Sequence, residues 1–373
     1  MQTLVKFIKK EPVLFAALLL ALLSVCIIRP APVVCYQAID FRTIAILFSL
    51  MIVIKAFQSQ NFLDVIAAKL LRLCKTRRSL YFLLTYLVFF SSMFVTNDVA
   101  LLTFVPISLL IFKRINLSSL HLIVLETLAA NLGSCITPMG NPQNLFLFSY
   151  YGFSALEFFA LTAKIALPSL FILAVIIIFL TRKNQLISGN ALQTQLSHLT
   201  VDFRTFFYLA DFVICLLTVF HVINYLIMFV LTLVIMAVCN WRLFKKVDYS
   251  LLLTFAGFFI FTKTISTVPA FSNFIQSLLS SPLKTYLTGI AASQVISNVP
   301  AALLLSGFTQ NGAMLLLAVN VGGLGTLIAS MASVISFKLY TAEEERQGDN
   351  YFGVFTAYNF VLLIILGFIV YLI

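Results

Sequence analysis

The sequence predicts an all-α polytopic membrane protein built from two inverted repeats, each with a re-entrant helical hairpin and a broken transmembrane helix. Three observations carry this expectation. Of 373 residues, 61% are apolar and 10% charged, against about 45–50% and about 25% in soluble domains. The mean hydropathy is +1.07, and 38 Phe stand against one Trp. Three sequence blocks also recur in the same order in the two halves of the chain. At roughly 20 apolar residues per crossing, little chain is left for an extramembrane catalytic domain. A soluble enzyme, a nucleic-acid binder and a disordered regulator are excluded on composition.

The apolar stretches, in order, are 12–28, 41–57, 80–112, 120–148, 158–180, 205–220, 222–240, 250–264, 285–308, 313–337 and 354–373. The first follows Lys6, Lys9 and Lys10 like the start of a signal peptide. It lacks a small-x-small cleavage site and further spans follow, so it reads as a retained first helix. Four of the longer stretches carry polar or Gly/Pro interruptions. The polar segment 181–204 divides the chain into a first repeat (1–180), a cytoplasmic linker (181–204), and an extra helix followed by the second repeat (205–373).

Charge sets the orientation. With the N-terminus in the cytoplasm, and with both hairpins entering and leaving on one side, 18 of the 24 Lys and Arg become cytoplasmic. They cluster at Lys6 to Lys10, Lys69 to Arg78, Lys113 and Arg114, Arg182, Lys183 and Arg204, Arg242 to Lys246, and Lys338 and Arg346. Arg29, Arg42 and Lys284 fall outside; Lys55, Lys164 and Lys263 fall within spans. Full crossings at the two interrupted stretches would push several clusters outside, against the positive-inside bias. The same bias accounts for the net charge of +11 without a nucleic-acid partner. The six cysteines (Cys26, Cys35, Cys74, Cys135, Cys215 and Cys239) show no metal or C-x-x-C spacing and read as small hydrophobes in apolar helices.

The repeat is legible in three blocks. Asp40 and the run to Lys55 match Asp248 and the run to Lys263. Thr96-Asn97-Asp98 matches Ser297-Asn298-Val299, with Pro300 following. The segment 129–148 aligns without gaps on 318–337, with identities Ala129/Ala318, Asn131/Asn320, Gly133/Gly322, Thr137/Thr326 and Phe148/Phe337. Since 41–57 runs inward where 250–264 runs outward, the copies are inverted. Paired interruptions in such halves point to a midplane transport site. A helix stopped inside the bilayer leaves orphan backbone groups that hydrocarbon does not satisfy, so such breaks survive beside a wet or ligand-filled cavity.

The first break, Thr96-Asn97-Asp98, offers N-caps to a helix whose positive end faces the midplane. The second, Gly133 to Asn144, holds two Gly, two Pro (Pro138 and Pro142) and several amides, and is expected to be non-helical. In the other half Ser297-Asn298 precedes Pro300 at a first helical turn, and Gly322-Gly323-Leu324-Gly325-Thr326 loosens the second broken helix. The candidate binding residues are therefore Thr96, Asn97, Asp98, Gly133, Ser134, Thr137, Pro138, Gly140, Asn141, Asn144, Ser297, Asn298, Val299, Pro300, Asn320, Gly322, Gly323 and Thr326. Asp98 is the costliest of them in a membrane; the plain alternative is that it only caps its own helix. Lys55 and Lys263, near span ends, read as snorkelling side chains. Glu126 either faces the cavity or pairs with a lysine. Asp211 and His221 lie in or beside the extra span and read as structural, and Glu343, Glu344 and Glu345 form a solvated face. There is no G-x-x-x-x-G-K-[ST] motif for ATP.

With these residues the chain resembles the ion transporter superfamily, which covers citrate-type carriers, divalent anion/sodium symporters, arsenite permeases and one class of sodium/proton antiporter. The resemblance spans nearly the whole chain and rests on Thr96-Asn97-Asp98 with Pro106 downstream, on Gly133-Ser134 with 137–144, and on Ser297-Asn298-Val299-Pro300. It implies that Thr96, Asn97, Asp98, Ser297, Asn298 and Val299 are hairpin-tip residues holding solute carboxylate and sodium. It also implies an elevator mechanism and a homodimer. The tips depart from the symporter Ser-Asn-Thr pattern, because Asp98 and Val299 stand where the third Thr would be; an Asn-Asp pair is more like arsenite permeases and proton-coupled members.

The expectation is a secondary transporter of the cytoplasmic (inner) membrane, with nine crossing helices plus two opposed hairpins. A sodium or proton gradient would drive a small anionic solute, a di- or tricarboxylate, with sodium held near Asn97, Asp98 and Asn298. No resident cofactor is expected, and the expected partners are the solute, the lipid bilayer and a second copy of the chain. Arsenite or antimonite efflux and sodium/proton antiport are the alternatives.

Overall fold

The computed structural model describes residues 11–71, 73–184, 186, 202–342 and 350–373, and every regular element among them is helical. The amino-terminal half contains α1 (Pro12–Ile28), α2 (Pro32–Ala38), α3 (Phe41–Ser59), α4 (Phe62–Leu71), α5 (Arg77–Val95), α6 (Asn97–Arg114), α7 (Leu120–Ser134), α8 (Pro142–Tyr151) and α9 (Ala155–Leu180). The second half contains α10 (Phe203–Val219), α11 (Tyr225–Asn240), α12 (Tyr249–Ile265), α13 (Pro269–Leu278), α14 (Pro282–Ile296), α15 (Asn298–Ser306), α16 (Gly312–Val321), α17 (Met331–Thr341) and α18 (Tyr351–Leu372). Lys6, Lys9, Lys10, Arg72, most of the 181–204 linker, Glu343 to Glu345 and Arg346 lie outside the described residues.

This is a polytopic membrane protein. Helices α3, α5, α9 and α18, and α11 with the 3-10 turn that follows it, are each long and apolar enough to cross a bilayer. Helix α12, bent 107° onto α13, makes a sixth such segment. The 19-residue α5 is in this set, so length alone does not mark the 80–112 stretch as re-entrant.

Local chemistry explains where the helices begin. Asp40 accepts from Thr43 N at 3.1 Å to start α3, and Asp248 accepts from Leu251 N at 3.1 Å to start α12. Their backbones match, with φ −78°, ψ 86° and φ −80°, ψ 84°. A reciprocal Thr76/Ser79 capping box opens α5. Asn141, accepting from Asn144 N at 3.0 Å, with Pro142 at the first helical position, opens α8.

Two boundaries differ from the sequence expectation. The break expected over Gly133 to Asn144 is narrower: Gly133 and Ser134 remain in α7 and Asn144 is already in α8. Gly133 serves as a close-packing residue, since a Cβ there would lie 2.1 Å from Phe89 O of α5. The break expected over Gly322 to Thr326 is wider, running from Gly322 to Ser330 around a 3-10 turn at Leu327–Ala329. The short helices α2, α4 and α13 occupy segments that periodicity left as connections.

Packing exchanges partners between the halves. Helix α1 packs most extensively on α12, and α3 packs on α10 and α11. Helices α5 and α6 turn back on each other and enclose α7; α14 and α15 do the same beside α16. The second arm of each turn-back, α6 and α15, also packs on the far segment of the other half's broken helix, α17 and α8. One apolar core joins α5–α7 to α17 and α18, and another joins α1, α3, α8, α10–α12, α15 and α16.

Candidate transport site

Two helix turn-backs meet at one cavity. At the first, Thr96 ends α5 and precedes α6; at the second, Ser297 ends α14 and precedes α15. Neither hydroxyl caps the helix it precedes. Asn97 Oδ1 accepts from Asp98 N at 3.0 Å, while Ser297 Oγ donates to Ala329 O at 3.3 Å. The helix starts at Asn97 and Asn298 thus present N–H groups and amide side chains to a common space. Helix N-termini of this kind favour anionic groups.

That space is a pair of adjoining cavities of about 180 and 170 Å³ that share Asp98, Pro142, Asp248, Leu251 and Ile335 in their walls. The engineered 150 Å³ cavity that admits benzene sets the scale, so each chamber suits a small solute. The first chamber is bounded by Thr96, Asp98, Lys55 and Asn141 among apolar side chains of α3, α6 and α8. The second is bounded by Asn97, Asp98, Gln143 and the 297–300 tip, closed by Ser330 and by Ser250 and Thr254 of α12.

Asp98 stands at the junction. Its Oδ1 is enclosed and has no hydrogen-bond partner among the described residues, and the residue lies in the first turn of α6. Lys55 lines the same chamber and donates to Gln58 Oε1 at 3.0 Å. Asp248, Lys55 and Asp98 act electrostatically on one another. Lys55 thus lines this chamber from the last turns of α3, whereas its repeat-mate Lys263 is exposed at the end of α12. Glu126 lines neither chamber.

Beneath the cavity the broken helices are joined reciprocally by amides. Asn131 donates to Ser333 Oγ at 3.3 Å, and its repeat-mate Asn320 donates to Asn144 Oδ1 at 2.7 Å. Ser330 donates to Asn131 Oδ1 at 2.9 Å, while Asn141 donates to Asn320 Oδ1 at 3.4 Å. In the 129–148/318–337 alignment Ser333 matches Asn144 and Ser330 matches Asn141, so the two pairs of bonds are equivalent across the halves. Asn97 donates to Asn131 Oδ1 at 3.2 Å, tying the first tip to this network. Each broken helix therefore satisfies side-chain polar groups of the other.

The sequence candidates divide into two groups. Thr96, Asn97, Asp98, Asn141, Ser297, Asn298, Val299 and Pro300 line the cavities. Ser134, Thr137, Asn144, Asn320 and Thr326 sit in the supporting layer. Thr137 donates to Met93 O, Asn144 to Cys135 O at 2.9 Å, and Thr326 N to Gln294 Oε1 at 2.8 Å. Gly133, Pro138, Gly140, Gly322 and Gly323 shape backbone contacts; a Cβ at Gly140 would lie 2.1 Å from Ser134 O, and one at Gly322 2.8 Å from Ser293. Lys55, Pro142, Gln143, Asp248 and Ser330 line the cavity without having been candidates. Asp248 and Ser330 were readable as repeat-mates of Asp40 and Asn141, but nothing local distinguished them as site residues. Among the described residues no group of three or more His, Cys, Asp or Glu could hold a metal ion. Asp211, accepting from Thr232 Oγ1 at 2.8 Å, ties α10 to α11 away from this space.

The sequence profile described as citrate transporter matches residues 7–313. An uncharacterized transporter of Methanocaldococcus jannaschii is 35% identical over 331 residues, covering 87% of this chain and 88% of the relative. Inner membrane protein YbiR of Escherichia coli is 32% identical over 306 residues, 81% of this chain and 80% of its own length. A putative transporter named arsB from Dictyostelium discoideum is 28% identical over 123 residues, 33% of this chain and 22% of that protein.

Proposed function

The chain belongs to the citrate transporter family and is a membrane transporter; from that premise we propose that it is a secondary carrier moving a small anion, a di- or tricarboxylate, driven by protons or sodium. The observation that carries this reading is the convergence of two uncapped helix starts, at Asn97 and Asn298, on one solute-sized cavity beside Asp98. The N–H groups of α6 and α15, with Asn97, Asn298 and Lys55, would hold the anion. Asp98 would carry the proton or sodium that offsets its own charge while solute is bound.

The two halves act as inverted repeats, and the turn-backs at Thr96 and Ser297 as re-entrant hairpins within nine crossing helices. Arg77 and Arg78 at the start of α5 and Lys113 and Arg114 at the end of α6 mark one side for both arms of the first hairpin. The cavity is walled by Glu11 and Asp248, at the starts of α1 and α12, and by Lys55 near the end of α3. With the N-terminus cytoplasmic, the tips lie toward the cytoplasmic ends of these helices. This supports an inward-facing state of an elevator, in which the hairpins and broken helices slide against α1, α3 and α10–α12. A homodimer, holding the latter group fixed, completes the reading.

One observation favours a second solute class. Asp98 and Asp248 outnumber the single Lys55 in the first chamber, an arrangement that suits a neutral hydroxide such as arsenite better than a polyanion. Purified protein in liposomes separates the two. Accumulation of a labelled di- or tricarboxylate driven by an imposed proton or sodium gradient supports the first; gradient-driven arsenite movement without carboxylate uptake supports the second. Thermal stabilisation across carboxylates, oxyanions and sodium identifies which solutes to load.

A further inference from the structure

Away from the cavity, helices α5, α6, α7 and α18 enclose a seam of polar groups whose hydrogen-bonding capacity is not used. Glu126, in the second turn of α7, is fully buried. Ser108 of α6 donates to its Oε1, while Oε2 has no partner among the described residues. Opposite, α5 presents Arg77, Tyr81 and Thr85 at a spacing of four, which places them on one helix face. Tyr81 and Thr85 are fully buried, and among the described residues Tyr81 Oη, Thr85 Oγ1 and Arg77 Nε have no partner within hydrogen-bond geometry. The Arg77 guanidinium lies over the Tyr81 ring, 5.5 Å from its centroid. From α18, Tyr351 shares a 3.5 Å contact with Thr127 Oγ1.

We propose that Glu126 is a proton-binding site separate from the transport cavity, reached from the Arg77 end of α5 along Tyr81. An ionised carboxylate without a cation, buried among apolar helices, is strongly unfavourable. Among the described residues no cation faces this one closely. Helix α5 brings Tyr81 and, at the rim, Arg77. Helix α6 brings Ser108 and keeps Lys113 and Arg114 at its exposed end. Helix α18 brings Tyr351, with Tyr358 engaged by His121 at 2.9 Å. The neighbouring α9 and α17 add no charge that acts on Glu126. With Ser108 donating to Oε1, the proton resides on Oε2 and points into the unpartnered groups of α5. On release it passes toward Arg77, which is only half-buried, and the carboxylate left behind draws the guanidinium inward from the Tyr81 ring. Since Ser108 and Glu126 join α6 to α7, occupancy by a proton would set how tightly the first hairpin is held to the broken helix.

Infrared difference spectroscopy of the full-length protein in lipid, between acidic and alkaline pH, tests this without any solute. The wild type is expected to lose a carboxylic-acid carbonyl band on alkalinisation. E126Q, which keeps the size and the hydrogen bond from Ser108, should remove that band, whereas D98N should leave it in place. Should E126Q fail to fold, S108A retains the acid and is expected to displace the band, because one hydrogen bond to the carboxyl is lost. An acid-carbonyl loss that is undiminished in E126Q, or unmoved in S108A, overturns the proposal. Failure of carboxylate or arsenite transport in liposomes would leave these spectra unchanged, so the two readings fall separately.

Discussion

Thr96 and Ser297 share one backbone conformation, φ 70°, ψ 153° and φ 73°, ψ 154°. L-residues avoid this region, at a cost of about 1–3 kcal/mol each, and yet each residue here terminates one helix and begins the next. Thr96→Gly is therefore expected to stabilise the detergent-solubilised protein by about 1 kcal/mol after glycine's greater chain entropy is subtracted, seen as a raised thermal midpoint. A lowered midpoint would show that the tip is unstrained.

Asp98 is placed to carry the coupling charge. Asp98→Asn keeps the side chain's volume and is expected to abolish uptake against a gradient while changing stability by no more than about 1 kcal/mol. Liposome uptake with and without the imposed ion gradient reads this directly. Coupled uptake equal to wild type would remove Asp98 from the role.

Close packing of α5 on α7 depends on Gly133. Gly133→Ala puts a methyl 2.1 Å from Phe89 O, a backbone atom that moves only with its helix. The expected cost is about 1–3 kcal/mol or more, seen as a lowered unfolding midpoint.

Asn131 bonds to Asn97, Ser330 and Ser333 at once. Asn131→Ala leaves those partners buried and unsatisfied, so a loss of about 2–3 kcal/mol is expected. A loss below about 0.5 kcal/mol would mean that water replaces the amide.

Outside the membrane-spanning segments, His221 follows α10 in the αL region, stacks on Phe148 and accepts from Arg42. Burial, and then the Arg42 guanidinium, hold its imidazole below the usual value. The unfolded chain thus binds a proton at higher pH than the native protein does, and this contribution to stability is lost as pH falls below about 6.5. The midpoint should drop on acidification, and Arg42→Gln should reduce the part of that drop that His221→Gln removes entirely.

Most helices were legible because long apolar runs have few alternatives in a bilayer. The breaks at Thr96 and Ser297 were legible because polar residues there interrupt otherwise unbroken hydrophobicity. The extent of the central breaks was not. Gly133 looks like a helix breaker in sequence, but α5 presses on it and keeps it helical. Leu327 to Ala329 look helical, but they turn as 3-10 to bring Ser330 to Asn131. Lys55 resembled a surface lysine because only the tertiary fold brings Asp98 and Asp248 to it. Glu126 was visible as a costly residue, while its confinement with Tyr81 and Ser108, rather than with a lysine or the cavity, depends on how three helices pack.

The exchange of partner helices between the halves has a consequence during synthesis. Helix α1 ends at Ile28 and its main partner α12 begins at Tyr249, so about 220 residues leave the ribosome between them. At about 5–20 residues per second, α1 and α3 spend tens of seconds against lipid before their mates are inserted. The early half must therefore persist in the membrane unfinished, which makes insertion a stage at which quality-control proteases can sample it.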